Sequence, residues 1–591
     1  MLFFIRALIL WGAVFGYCTF LKKYMSPWFT PIFTLSAIGV ILFLAGLINV
    51  MLVSVLLILL GGWACLFLCK PWVKGFFKEH KATFASFGIF SALCGLFLLR
   101  VYEQIPVHYD CYSHWLTVVR DMLKTNQMPS FKSFLISFQG YPTGSAGFIY
   151  FICKALGHSR DDLVLFAQAI LYAASLTVFG AFIKRRDIVA ILIAFAGALF
   201  CMSAHTFATD YLLVDTLISL LSIGVVAIII YYRRDLLTGV LLSLPLQMFL
   251  VAVKNSGIIM VAINFTLVMF LSVWADLTAK KKISLSNLIK LGGITAGIPA
   301  VLYYLWMQHV EYVFYAGALS KHTTSVSNYM ATLGEKNMEQ IKEILNVFLE
   351  RFTSWNAGWL LLIVAVTVIF CGWLIKKYLL KHNSNSEFFI TFGLVGSYLV
   401  FMAVLGAMYL LSMPYEEAIV LAAYERYEKT ILVFIMGAIT IYGLTLAELL
   451  PGFRNKAWIK IPLLLLMASV LLTQTKNIKL LVQKPDSYVG SSRYDFEQLK
   501  SSYAIEEGKT YFVYGTRYQN DAGYHYYMTR YLFWSKDICL CTPEGFETSK
   551  EYLKNYDYLI VIDRDDRIDQ FLESYGLDPQ QQVYTVEGIF E

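Results

Sequence analysis

The segment Tyr109-Asp110-Cys111-Tyr112-Ser113-His114-Trp115 sets an imidazole four residues after a carboxylate, just beyond the end of an apolar run. On a helix, Asp110 and His114 face the same side. A carboxylate within hydrogen-bond reach of an attacking hydroxyl can take its proton, as a group transfer by direct displacement requires. Asp110 is the candidate base. His114 and Tyr112 are candidates to orient it or to hold the attacking molecule.

Other residues suit the rest of such a reaction. Asp210 and Asp215 lie in and beside a short loop. An acid at a membrane boundary is costly unless it is paired or functional. With Asp110 they offer a second acidic point for the acceptor or for a metal; a helix N-terminal charge is the structural alternative. Lys254, before Asn255-Ser256-Gly257, stands at a tight turn between apolar runs. A cation beside helix N-terminal amides is a phosphate partner, or else a lysine snorkelling to the interface. Arg426 offers a bidentate fork for phosphate, or an ion pair with Glu425 or Glu416. Lys321-His322 adds a loop cation and an imidazole.

What must position these residues is a membrane. The chain has 591 residues, 58% hydrophobic and only 15% charged, a composition of the membrane class. Hydropathy gives about fourteen spanning helices: 2–20, 31–48, 50–69, 84–100, 163–183, 187–204, 212–232, 236–253, 256–276, 288–307, 356–376, 387–412, 428–449 and 459–475. The first carries no small-residue cleavage site and reads as an anchor. Lys22-Lys23, Lys70 to Lys81, Lys184-Arg185-Arg186, Arg233-Arg234, Lys280-Lys281-Lys282, Lys376-Lys377 and Arg454 to Lys456 all fall on one side, which the positive-inside rule makes the cytoplasm. Both termini then lie outside. The net charge of +7 is accounted for by these loops and does not point to nucleic acid.

The outer loops are 101–162, 308–355 and 413–427. Residues 145–156 are apolar but too short to span. If they did span, every later loop would violate the charge rule. The stretch 141–157 is therefore expected to be an interfacial or re-entrant helix. Trp115, Val118, Val119, Met122 and Leu123 recur at helical spacing opposite Arg120, Asp121 and Lys124, the pattern of a helix lying in the interface. From about residue 476 charge rises and no run can span. Short apolar strands at 511–514 and 558–562 alternate with helical stretches such as 566–575, which predicts a small outer α/β domain over 476–591 that folds as a unit. The ten cysteines are scattered, without metal-site spacing, and are expected to be small buried hydrophobes. Cys539 and Cys541, two apart on a strand, are badly placed to pair with each other.

The arrangement resembles the GT-C superfamily of integral-membrane glycosyltransferases, which use polyprenyl-phosphate-linked sugars. Members carry an acid in the first large outer loop, matched by Asp110. Two juxtamembrane helices follow, matched by 113–124 and 141–157, the second beginning at Tyr141-Pro142-Thr143-Gly144. Many bacterial relatives place a basic residue at the outer turn of a later hairpin, matched by Lys254, and end in a soluble outer domain. The resemblance covers roughly residues 84–450, with 1–83 as added helices before a core at 84–475. Where members have two adjacent acids, this chain has Cys111 after Asp110, which argues against a metal requirement without removing a divalent metal as an option. The relatives nearest in character build bacterial cell-surface polysaccharide or teichoic acid.

The resemblance implies a multi-pass enzyme of the cell membrane. It would move a sugar from a polyprenyl phosphate to a glycan or lipid-linked acceptor on the outer face, by an inverting displacement. A transporter or flippase of lipid-linked glycans is a different class. It would show repeated halves and ionisable residues at mid-membrane, whereas here no repeat is seen and the ionisable residues gather at the outer ends. A polymerase or ligase of whole glycans would share the outer-face site.

Overall fold

The computed structural model describes every residue except 184–187, 206–207, 315–325, 380, 382–385, 450–471, 473–474, 486, 517–522 and 591; for 326–328 and 379 it describes the backbone alone. Lys184 to Arg186, Lys321, His322, Arg454, Lys456 and most of the expected span 459–475 therefore lie outside the described residues.

Eleven helices among the described residues are long and apolar enough to cross a membrane. Ile188–Ser203 and Asp215–Tyr231 are apolar but shorter. Thirteen of the expected spans thus coincide with helices, with ends displaced by a few residues. Helices apolar on every side are stable only inside a protein or in lipid, and both situations occur. Asp161–Phe182 is buried along its whole length, and Asp215–Tyr231 nearly so. They form the centre of the bundle, covered by Thr30–Leu47, Leu236–Val253 and Tyr424–Glu448.

Small residues set the closest approaches, as in membranes generally. A Cβ on Gly16 would fall 2.0 Å from the carbonyl oxygen of Gly62. Helices Leu2–Leu21 and Met51–Leu68 therefore meet backbone to backbone. Gly437 likewise lets Tyr424–Glu448 close on Ile223 of the central helix. The hydroxyl of Ser219 donates to the carbonyl of Thr430 across that contact, at 2.7 Å. This packing fixes the start of one helix against the start of the other, which matters for the site below.

The charged connections gather at one end of the bundle. Lys22 donates to the carbonyl of Glu79, and Tyr232, next to Arg233, accepts from the amide of Ser26. Asp110, Asp215, Lys254 and Arg426 sit together at the opposite end. With the native cysteines replaced by serine, a cysteine at Arg234 should resist an impermeant thiol reagent applied to intact cells, and one at Lys132 should react. Labelling at position 234 from outside would invert the topology.

The two juxtamembrane segments differ from expectation. Gly144–Leu156 is enclosed by protein, with only Lys154 among its residues escaping burial, which sets aside the interfacial alternative and not the re-entrant one. Leu116–Thr125 packs its apolar side on Gly144–Leu156, and its Arg120 and Lys124 are ion-paired with Glu507 of the C-terminal domain. An amphipathic pattern specifies an apolar face and not whether lipid or protein covers it.

In the C-terminal domain, β1 (Tyr511–Tyr514), β2 (Ile538–Cys541), β3 (Tyr558–Val561) and β4 (Val583–Thr585) form a sheet in the order β2-β1-β3-β4. The pairs β1–β2 and β1–β3 are parallel, and β3–β4 is antiparallel. Side chains alternate across the sheet. Phe512 and Tyr514 enter a core of the domain's own with Phe546, Ile568 and Leu572. Tyr511 stacks on Phe533, on the side facing the membrane bundle. The expected strands at 511–514 and 558–562 and the helix at 566–575 (Asp566–Ser574) are present. All ten cysteines are unpaired; six are buried, but Cys371 is exposed and Cys65, Cys69 and Cys539 are half-buried, so burial does not hold for all.

Candidate active site

Residues named separately from sequence meet in one ionic chain. Asp110 opens a π-helical turn, Cys111–Trp115, ahead of Leu116–Thr125; such turns recur at functional sites. Its Oδ2 accepts from Nη1 of Arg426 at 2.8 Å. Nε of Arg426 lies 3.6 Å from Oδ2 of Asp215, and Oδ1 of Asp215 accepts from Nζ of Lys254 at 2.7 Å. The ring of Tyr427 lies against both cations, 5.0 Å from the guanidinium and 5.2 Å from the ammonium, a cation–π arrangement.

The helices put these groups at one level. Asp215 is the first residue of Asp215–Tyr231, where an acid complements the dipole. Lys254 follows the last residue of Leu236–Val253, where a cation does the same. Arg426 is in the first turn of Tyr424–Glu448. Side chains of Asp215 and Lys254 are 4% and 9% exposed, so neither charge is tolerable there without the other. Asp110 and Arg426 retain 17% and 22%, which leaves both within reach of a ligand.

A cavity of about 660 Å³ opens beside the chain, lined by His108, His205, Asp215, Arg351, Glu425, Arg426 and Lys429 together with Thr216 and less polar residues of 208–213 and 420–424. Three of these residues, Arg351, Arg426 and Lys429, are basic, and two, Asp215 and Glu425, are acidic. Arg351 is held by Glu425 at 3.1 Å and lies over the Tyr424 ring. Burial pushes the His205 imidazole down to about 4, so it is neutral at physiological pH. Burial also lowers His108. The amide of Asp110 donates to Nδ1 of His108 at 3.1 Å, which places the proton of a neutral ring on Nε2. Leu421 and Ala423, on the cavity wall, have φ of 47° and 61°, left-handed backbone that non-glycine residues hold only when their surroundings impose it.

The structure separates the other expected site residues from this chain. His114 is buried among Trp115, Phe138 and Tyr141, and it is His108 that faces Asp110, 3.7 Å from its Oδ2. The Tyr112 hydroxyl donates to the carbonyl of Pro106 at 2.5 Å, and its ring packs on Tyr524 and Tyr531 of the C-terminal domain. Asp210 accepts from Arg100 at 2.9 Å. That arginine also donates to the carbonyl of Leu481, so it ties Asp210 and the end of Lys81–Val101 to the segment leading out to the domain. Arg426 pairs with neither Glu425 nor Glu416. Lys254 is not at an exposed turn: it is buried on Asp215. The reason is tertiary, since the turn is capped by the start of Tyr424–Glu448.

Sequence reasoning missed His108, His205, Arg351 and Lys429. His108, two residues before Asp110, had a signal in its spacing. The other three lie on separate segments with no shared motif. Among the described residues no group of three or more His, Cys, Asp or Glu is placed to hold a metal; the cation between Asp110 and Asp215 is the guanidinium of Arg426.

No protein-family model and no curated protein matches the chain. Solved structures similar to it include ArnT from Cupriavidus metallidurans in the apo state, at 12% identity and a TM-score of 0.35 over 82% of this chain and 94% of that one. The same protein bound to undecaprenyl phosphate matches at 11% identity and a TM-score of 0.34, over 84% of this chain and 96% of that one.

Proposed function

We propose that this protein is a membrane glycosyltransferase that moves a sugar from a polyprenyl phosphate to an acceptor on the outer face, with inversion and with Asp110 as base. The observation that carries this is the chain Asp110–Arg426–Asp215–Lys254 beside a cavity with three cations. Glycosyl transfer from a lipid phosphate needs two things together. A carboxylate must take the acceptor proton, and fixed cations must hold the phosphate as its negative charge grows. Both stand here in one ionic chain and the cavity beside it.

The pairing of Asp110 with Arg426 suggests the order of events. In the free protein the guanidinium orients Asp110. A donor phosphate in the cavity competes for the same fork, for which phosphate is well matched. As Arg426 turns to the phosphate, Asp110 is released as a free carboxylate. It then accepts the proton of the attacking hydroxyl while that oxygen bonds to the anomeric carbon. The bond from that carbon to the phosphate oxygen breaks, and the electron pair leaves with the polyprenyl phosphate. Asp215 holds Lys254 and steadies Arg426 from the other side. The C-terminal domain packs on the first outer loop and therefore belongs on the outer face.

Undecaprenyl phosphate is a suitable probe of the cavity. Arg351→Ala and Lys429→Ala should each weaken its binding to the purified protein. A charge-assisted hydrogen bond is worth about 1.5–3 kcal/mol, so the Kd should rise roughly ten- to a hundred-fold. Binding unaltered in both variants would remove the phosphate from this cavity.

A further inference from the structure

We infer that Arg493, in the C-terminal domain, is a positioning residue for Asp110, so that the domain acts as a brace on the loop that carries the base. This rests on the assignment of Asp110 above. The expectation from sequence is a domain over 476–591 that folds as a unit; that expectation assigns no part of it to the base.

Arg493 lies on Ser492–Ser502, the first helix of the domain proper. Its side chain is 5% exposed. Nη2 donates to Asp161 at 2.9 Å and Nε to Glu497 at 2.6 Å. Asp161 begins the fully buried helix Asp161–Phe182 and ends the first outer loop. The guanidinium therefore ties the domain to the start of the most deeply buried helix of the bundle. It also lies 5.4 Å from the ring of Tyr112 and 5.3 Å from that of Tyr531.

Tyr112 is the link to the base. It stands two residues after Asp110 on the same π-helical turn and is buried. Rings of Tyr524 and Tyr531 from the domain lie 5.7 and 5.6 Å from it. Within the turn, Cys111 Sγ accepts from the amide of Leu212. Residues 110 to 112 are thus held by three different parts of the chain: Asp110 by Arg426, Cys111 by the 204–214 loop, and Tyr112 by the domain.

A second grip lies farther along the same helix. Glu507 accepts from Arg120, Lys124 and Lys500, each at 2.6 Å. The Trp534 ring lies 4.9 Å from Arg120 and 4.6 Å from Lys124. This contact is more open to solvent and fixes the far end of Leu116–Thr125. Of these two grips, the one around Arg493, with Tyr524 and Tyr531, is the one that reaches the turn that begins with Asp110. A domain built to receive an acceptor has no need to bury an arginine against the base-bearing loop. A domain that sets the position of the base does.

The test compares full-length wild type with Arg493→Ala and Arg493→Lys. Asp161→Asn breaks the same pair from the other side and serves if Arg493→Ala does not fold. Three quantities are read: amide hydrogen exchange over 106–116, binding of undecaprenyl phosphate, and surface glycan formed per molecule in cells. Arg493→Ala should exchange about ten-fold faster or more over 106–116 as that segment opens locally. Glycan formation should fall roughly a hundred-fold, the scale of an ångström-sized misplacement of a reacting group. Undecaprenyl phosphate binding should stay as in wild type, because the cavity is untouched. Arg493→Lys should recover part of the loss, restoring charge without the planar stack. Unchanged exchange, or faster exchange with undiminished glycan formation, overturns the inference. A wild type that forms no glycan would instead defeat the proposed function, and the exchange measurement would still decide whether the domain braces the loop.

Discussion

Replacing Asp110 by Asn is expected to leave a folded, membrane-inserted protein that no longer transfers sugar. Asn keeps the shape and an oxygen that can accept from Arg426, so the loop should hold its place. It cannot take a proton. A positioned base contributes about 10²–10⁴-fold, and turnover should fall by that much, with binding of undecaprenyl phosphate retained. Near-normal turnover by purified Asp110→Asn would remove it from the chemistry. The base would then have to be sought among the groups lining the cavity, which include the Asp215 and Glu425 carboxylates and the His108 and His205 imidazoles.

Lys254→Ala is expected to have the largest effect on stability of any single change at the site. Its ammonium and the Asp215 carboxylate are both buried and bonded at 2.7 Å. Removing one partner of such a pair costs about 3–5 kcal/mol, because the other charge is left without compensation. Arg426, already 3.6 Å from Asp215, is the nearest replacement cation. Drawing it toward Asp215 would pull it from Asp110, so transfer should fail along with stability. Two further variants separate these effects. Lys254→Arg should retain most of both. Asp215→Asn combined with Lys254→Met removes both charges and should restore thermal stability while transfer stays low. A Lys254→Ala protein that melts and binds undecaprenyl phosphate like wild type would show that the pair is dispensable.

The membrane class, the positions of the spans and the strands of the C-terminal domain were legible because each follows from local pattern. An apolar run of spanning length has few alternatives, and β1 and β3 show the β-rich composition of buried strands. Asp110, Asp215, Lys254 and Arg426 were legible as single candidates because a charge at the end of an apolar run calls for a reason. Their partnership was not, since it depends on how three helix ends and a loop meet. For the same reason the ion-pair alternative for Arg426 points to neighbours in sequence, Glu425 or Glu416, when its partners are 316 positions away in one case and on the central helix in the other. The burial of Gly144–Leu156 and of Tyr112 was hidden too. In both, an apolar face expected to meet lipid or water meets protein.

The central claim is a direct displacement at an anomeric carbon with Asp110 as base. The measurement that tests it most directly is the stereochemistry of the product. Purified protein in lipid nanodiscs, given a polyprenyl-phosphate sugar of known anomeric configuration that it uses and its acceptor, should release free polyprenyl phosphate. It should form one new glycosidic bond per molecule released, with the anomeric configuration inverted when read by NMR. A product with retained configuration, or passage of the intact lipid-linked sugar across the bilayer with no bond broken, would contradict it.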